Sequence, residues 1–366
     1  MKKLLTSMGA LALALTLVGC GDGGEVAPSE SETPAPSESS QTPAASGLYC
    51  VVSDGGGFED KSFNQSAKDG VEQAKTELGV EAKEVESKAA EDYQPNIDAA
   101  IAENCNIIFT VGFNLADATK VTAEAKPEVK FGIIDDSSIN LPNVKPIVFN
   151  TSEAGYLAGY LAAGVSKNGV VATYGGLAIP SVQIFSDGFY QGVEAYNKAK
   201  SASVKVLGWD PENTTDGYQI VGDFTDQTKG KQITETFINS GADVILPVAG
   251  GAGLGTAQAC AEKGCKYIWV DVDGYNTNDA SYLPYLLTSV MKNITPAVFD
   301  VVKQDTQGTF SNEKYIGTIA NGGVDIAPYH DLDSEVPAEL KAEVDKLRED
   351  IKSGTLKIES QFSPAS

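Results

Sequence analysis

From Gly47 onward, apolar and polar positions follow two rhythms. Apolar runs of four to six residues recur at Leu48–Ser53, Ile107–Val111, Phe131–Ile134, Val170–Tyr174, Val204–Leu207, Val244–Pro247 and Tyr267–Val270. Such runs, bounded by Gly, Pro or Asp, predict buried strands. Between them apolar residues return every three or four positions, which predicts helices. One helix follows Phe63 and carries Ala67, Val71, Ala74 and Leu78 on one face. Others span Asn96–Glu103, Gly155–Ser166, Phe189–Lys198, Lys231–Ser240 and Thr256–Gly264, with a charged amphipathic helix at about Pro337–Ile351. Strand–helix alternation of this kind predicts an α/β fold with parallel sheets. A chain of 366 residues exceeds one ordinary core and predicts two domains. Polar clusters near Thr151-Ser152 and at 274–279 mark candidate crossings between them.

The first strand–helix junction is rich in chemistry: Asp54-Gly-Gly-Gly-Phe-Glu-Asp60-Lys-Ser62-Phe63-Asn64-Gln65. Its glycines allow close backbone approach and positive φ. Asp60 and Ser62 are candidate helix caps. Asp54 stands at a strand's carboxyl end, where open parallel sheets bind ligands. Phe63 offers an apolar face beside the Asn64 amide, which both donates and accepts. These residue types suit a flat molecule with polar edges; the competing reading is a tight turn with a cap and a core Phe. Other strands also end in acids or glycines: Asp135-Asp136, Gly250-Gly251, and Asp271-Val-Asp273. Carboxylates gathered at strand ends suit hydroxyl-rich ligands, because each accepts strong charge-assisted hydrogen bonds.

The first 46 residues differ from the rest. Lys2 and Lys3 precede an apolar run to Val18, then Gly19-Cys20, a signal-peptide pattern over residues 1–19. The small residue before Cys20 resembles a bacterial lipobox, which implies cleavage there and lipid on the Cys20 sulfur. Residues 20–46 are then a lipidated Cys and a Gly/Ser/Thr/Pro/Glu/Ala tether too poor in apolar residues to fold. Losing residues 1–19 removes two lysines and no acid, moving the net charge from −23 to −25. Such a chain is repelled by nucleic acid and by anionic headgroups. Four further cysteines, Cys50, Cys105, Cys260 and Cys265, form an even set in an exported chain. Adjacent strands bring Cys50 to Cys105, and a helix end brackets Cys260 and Cys265, predicting two disulfides.

Several chemistries lack their residues. Gly251-Ala-Gly253-Leu-Gly255 misses the third glycine of a dinucleotide loop, where Gln258 stands. Asp271-Val-Asp273-Gly274 places its glycine wrongly for a calcium loop. There is no CxxC, and His330 is the single histidine, so neither a zinc site nor a His-activated nucleophile is expected. No cofactor is expected. Paired carboxylates leave a glycosidase-like hydrolysis open.

A resemblance rests on segments in one order along the chain: residues 54–65, Phe131-Gly-Ile-Ile-Asp135, Glu153-Ala-Gly-Tyr-Leu-Ala-Gly-Tyr-Leu-Ala162 and Phe185-Ser-Asp-Gly-Phe189. Gly222-Asp-Phe-Thr-Asp-Gln227, residues 248–255, Val270-Asp-Val-Asp273 and Thr288-Ser-Val-Met-Lys292 continue it. The chain resembles the basic membrane protein family of bacterial lipoproteins, which includes a purine nucleoside receptor. It departs in Gly274, where the family often has Gln, and in an extra glycine of the opening loop.

The resemblance implies a two-lobed periplasmic-binding-protein fold that closes on a purine nucleoside and delivers it to ABC permease subunits, without catalysis. The lobes would be 47–152 plus about 280–312, and 153–279 plus about 313–366. Phe63 and Phe185 would sandwich the base, and Asp135 and Asn64 would read its edge. Asp271, Lys292 and the Gly250–Gly251 backbone would hold the ribose, with Asp54 and Gln65 completing the site. Asp273 competes with Asp271 for the sugar, and spacing does not decide between them. A pentose receptor on the same fold, a nucleoside hydrolase-like enzyme using the acid cluster, or a receptor docking on a sensor remains an alternative.

Overall fold

A computed structural model describes residues 47–364. Cys20, the signal-peptide pattern and the tether lie outside the described residues. Among the described residues, twelve strands form two six-stranded sheets. The first holds β1 (Leu48–Val52), β2 (Glu81–Val85), β3 (Ile107–Val111), β4 (Lys130–Ile134), β5 (Val144–Phe149) and β11 (Tyr315–Gly317), in the order β11-β5-β4-β3-β1-β2. The second holds β6 (Val170–Gly175), β7 (Lys205–Leu207), β8 (Val244–Val248), β9 (Lys266–Asp271), β10 (Leu286–Lys292) and β12 (Val324–Ile326), in the order β12-β10-β9-β8-β6-β7. Every named strand pair is parallel except β10 with β12.

The helices are α1 (Phe63–Leu78), α2 (Tyr93–Ala102), α3 (Ala116–Ala125), α4 (Ser152–Val165), α5 (Pro180–Lys200), α6 (Gln227–Asn239), α7 (Leu254–Lys263), α8 (Gly274–Thr277), α9 (Ile294–Thr306) and α10 (Ala338–Lys352). Alternate residues of β1 face different cores, Tyr49 and Val51 one, Cys50 and Val52 another. A strand buried on both faces reads as a continuous apolar run, which is why β1 was visible in the sequence.

The helices α4 and α5 pack with their backbones nearly touching. A Cβ on Gly159 would overlap the Phe189 carbonyl, and one on Gly192 would overlap the Tyr156 carbonyl. This close crossing fixes α5, and α5 carries Phe185. The helix begins at Pro180, not near Phe189, with proline in its first turn where a missing N–H costs nothing.

The strand pairing corrects the expected lobe boundaries in two places. Residues 280–312 were expected with the first lobe, yet β10 pairs with β9 and β12 in the second sheet. Its Leu286, Leu287 and Val290 are buried there. Residues from 313 were expected with the second lobe, yet β11 pairs with β5 at the edge of the first sheet. The crossings therefore follow β5, β10 and β11. The polar cluster at 274–279 is not a crossing; it forms the short helix α8, which Asp273 caps through the Tyr275 N–H at 3.1 Å.

Cys50 is bonded to Cys105 and Cys260 to Cys265, with Cα separations of 5.8 and 4.5 Å. The first ties β1 to the residues leading into β3; the second closes the turn between α7 and β9.

Candidate ligand-binding cleft

In each sheet the chain reverses direction of winding beside the first-formed strand, between β1 and β3 and between β6 and β8. Ligands of open α/β sheets bind beyond the carboxyl ends of strands at that reversal. A cleft lies there between the lobes. Asp54, Asp60, Phe63 and Asn64 line it after β1, Gly112–Asn114 after β3, and Asp135 after β4. The other wall is Ser181, Val182 and Phe185 on α5, Phe224, Gly250 after β8, Asp271 at the end of β9 and Lys292 at the end of β10.

The opening loop is held by its own carboxylates. Asp60 accepts the backbone N–H groups of Ser62 at 3.0 Å, Asn64 at 2.8 Å and Gln65 at 3.2 Å. Asp60 thus caps α1, while Ser62 at the cap position makes no side-chain capping bond. Asn64 spends its amide on the loop: Nδ2 donates to Asp54 Oδ1 at 2.9 Å and Asp60 Oδ2 at 3.0 Å, and Oδ1 accepts the Asp54 N–H at 3.2 Å. With both amide hydrogens used, Asn64 positions Asp54 and keeps only an acceptor lone pair for a ligand. Gly112 has φ 109°, and a Cβ there would stand 3.2 Å from Asp54 Oδ2 and 3.4 Å from the Phe63 ring. Glycine keeps that carboxylate and ring accessible.

Three residues expected in the site stand apart from its lining. The Gln65 side chain bonds with Asp69 on its own helix. Gly251 faces the Phe224 carbonyl and the Asp60 backbone at the lobe boundary. Asp273 caps α8 and pairs with His330 Nε2 at 2.8 Å, so it is Asp271 that reaches the cleft. Residues missed in the sequence include Asp60 as a lining group, Gly112, Phe113, Asn114, Ser181 and Phe224, along with the apolar Ile179, Val182, Val248 and Val270. Gly112-Phe113 directly after a predicted strand was a readable signal; Phe224 sits in a loop with no periodicity.

The acids and the lysine set the electrostatics. Lys292 Nζ forms a buried ion pair with Asp135 and stands 4.7 Å from the Phe63 ring centre, 5.7 Å from Phe185 and 5.5 Å from Phe149. An ammonium over aromatic faces is attracted by their quadrupoles. Burial pushes the Asp135 carboxyl up, opposed by Lys292 and by a Ser181 hydrogen bond. Burial pushes Asp54 up to about 6 and Asp271 up to about 7. Among the described residues no cluster of His, Cys, Asp and Glu is arranged to hold a metal.

The lobes touch across this cleft. The Lys61 carbonyl, on the first lobe, accepts from Trp269 Nε1 and Thr277 Oγ1 of the second, each at 3.2 Å. Lys61 holds φ 62° to present that oxygen. Asp135–Ser181 and Asp271–Ser62 are also contacts between lobes. Aromatic faces, acceptors and one ammonium enclosed by two lobes are the makings of a small-molecule cleft.

Residues 49–361 match a protein family described as ABC transporter substrate-binding protein, PnrA-like. The chain is 30% identical over 329 residues to an ABC transporter nucleoside-binding protein, BmpA, of Lactococcus lactis subsp. cremoris (strain MG1363), covering 85% of this chain and 88% of that one. It is 28% identical to Basic membrane protein A1 of Borrelia garinii subsp. bavariensis, covering 80% of this chain and 82% of that one. Its fold is that of an ABC transporter solute-binding protein from Aeropyrum pernix K1, at a TM-score of 0.76 and 23% identity over 86% of this chain and 94% of that one. A solute-binding protein from Conexibacter woesei DSM 14684 superposes at a TM-score of 0.67 and 21% identity, over 87% of this chain and all of that one. The chain therefore belongs to the PnrA-like family of ABC transporter substrate-binding proteins, which bind a small molecule for permease subunits and are not enzymes.

Proposed function

We propose that this protein captures purine nucleosides, such as guanosine, adenosine or inosine, and hands them to an ABC importer. The observation that carries this reading is the pairing of aromatic rings with acids: Phe63 and Phe185 both line the cleft, between Asp135 in one wall and Asp271 in the other. Base stacking on an aromatic ring contributes roughly 1–3 kcal/mol and tolerates any purine. Asp135 faces the polar edge of the base, and Asp271 accepts from ribose hydroxyls. A nucleoside is uncharged, so four cleft acids with one lysine suit it better than a phosphorylated ligand. The name of the Lactococcus relative supports the same reading.

The decisive experiment is mass spectrometry of the ligand released when freshly purified protein is denatured. A purine nucleoside is expected; a free pentose would replace this reading with the sugar-receptor alternative. The reading extends to a lipid anchor at Cys20 that holds the protein on the extracytoplasmic face of the cell membrane. It is supported by the Gly19-Cys20 pattern after the apolar run. Among the described residues no helix is long and apolar enough to cross a membrane. A Cys20→Ala chain should leave the membrane fraction or stay unprocessed. Its recovery there with a correctly cut N-terminus would remove the anchor from the proposal.

A further inference from the structure

A second chamber of about 330 Å³ adjoins the cleft. Half open to solvent, it is lined by Val148, Phe149 and Ile184 together with the Asp136–Ser138 segment, and the chain's tail at Gln361–Pro364 bounds it. The tail is anchored there: Phe362 packs edge-on to Trp209 with ring centres 6.0 Å apart, and Ser363 Oγ donates to Asn150 Oδ1 at 2.9 Å. Only Phe113, Asp135 and Ser181 line both chambers, so these three form the partition.

The two spaces differ in a telling way. The cleft between Phe63, Phe185 and Lys292 leaves about 50 Å³ of free space. Pockets that take small molecules hold roughly 300–1,000 Å³. The spare room lies behind the partition, in which Lys292 holds Asp135 while the Phe113 side chain is able to move. Phe113 is 38% exposed, one of two exposed large hydrophobic residues among the described residues. Exposed side chains change rotamer within nanoseconds. The Asp135–Ser181 bond runs between lobes and parts whenever they do.

We propose that the second chamber belongs to the ligand site and receives a substituent carried on the polar edge of the base. The protein then takes N6-substituted purine nucleosides as well as plain ones. This rests on the nucleoside reading, in which Asp135 faces that edge; a group attached there is aimed at the partition and, past it, at Val148, Phe149 and Ile184 beside the polar Asp136–Ser138 segment. By volume it has room for a phenyl ring, since benzene fits a cavity of about 150 Å³ and this pocket holds about 330 Å³.

The test is calorimetry with adenosine and N6-benzyladenosine on the wild type, Gln361→Trp and Gln361→Ala. Gln361 is exposed, lines only the second chamber and lies on its rim. The wild type is expected to bind both nucleosides within tenfold of each other. Gln361→Trp should weaken N6-benzyladenosine at least tenfold and leave adenosine unchanged, which also shows that it is folded. Gln361→Ala should keep both. A wild type that binds adenosine but rejects the benzyl compound by more than tenfold overturns the inference alone. So does a Gln361→Trp protein without that selective loss. Failure to bind adenosine, guanosine or inosine overturns the nucleoside reading, and this inference with it.

Discussion

The strands β4 and β9 hold the same place, third from the outer edge, in sheets of the same order. Each ends in an aspartate, Asp135 or Asp271, with φ 68°. Asp is one of the few residues besides Gly that enters this left-handed region routinely. The backbone of the two lobes therefore repeats, down to the turn that aims a carboxyl into the cleft. The charge does not repeat. Asp135 has Lys292 as a bonded partner, whereas Asp271 makes no ion pair among the described residues; burial pushes both carboxyls up, Asp271 to about 7. One carboxyl is bonded to the ammonium of Lys292, which comes from the opposite lobe; the other is not bonded to it and is poised between its acid and charged forms near neutral pH.

Substitution at the two positions should break the likeness most sharply. Asp135→Ala strands Lys292, which is 3% exposed, and loss of one member of a buried pair costs about 3–5 kcal/mol. Asp271→Asn removes a buried carboxyl without stranding a cation and should match or exceed wild-type stability at pH 8. Urea denaturation of both variants measures this, and equal losses would erase the distinction between the lobes.

The disulfides are the next asymmetry. Cys50–Cys105 joins residues 55 apart, and Cys260–Cys265 residues 5 apart. Chain entropy assigns the first about 4 kcal/mol and the second about 2 kcal/mol. Paired Cys→Ala substitutions in each lobe, followed by thermal unfolding, should rank them in that order.

The pH dependence follows from the raised Asp271. Its proton is held more tightly in the folded than in the unfolded chain, so its contribution is full below pH 3.8 and is lost as pH rises through about 7. Stability of the ligand-free protein should fall by roughly 2–3 kcal/mol between pH 5 and pH 8 through this group. Asp271→Asn should flatten that slope; an unchanged slope would assign it to other groups.

Ligand contacts come next in size. Phe63→Ala should weaken all purine nucleosides alike, by roughly 1–3 kcal/mol, in calorimetry. A loss confined to one base would mean that Phe63 reads an edge rather than stacking. Smallest is the link between lobes. Thr277→Val removes one of the two hydrogen bonds to the Lys61 carbonyl and should cost about 0.5–1.5 kcal/mol of affinity, with Tm nearly unchanged.

The sequence made the doubly buried strands legible, because β1, β3, β4, β8 and β9 are unbroken apolar runs ending in acids or glycine. It concealed β2, whose Glu-Ala-Lys-Glu-Val alternation reads as surface, and β5, where Pro146 argues against a strand interior. Pro146 is tolerated because β11 begins pairing only at Ile147, beside the missing N–H. In the cleft, Phe63, Asp135, Phe185, Asp271 and Lys292 were all legible at strand ends or through the family resemblance. The spending of Asn64 on its own loop was not, because a hydrogen-bond partner is decided by the turn and not by the residue type. Asp271 and Asp273 were likewise inseparable by spacing; only the His330 contact and the α8 cap draw Asp273 away.

The late return of β11 to the first sheet has a consequence for how the chain comes into being. When Phe149 has been synthesised, five strands of that sheet exist, but the edge of β5 has no neighbour until Gly317. The helix α9, which covers α1, also arrives only with Thr306. At 5–20 residues per second the gap lasts roughly ten to thirty seconds. Through it the nascent first lobe carries an open strand edge, the kind of surface that recruits holding chaperones and tempts neighbouring chains to pair. Neither lobe is one continuous stretch of chain, so neither can be released by a single cut nor finished before the other is under way.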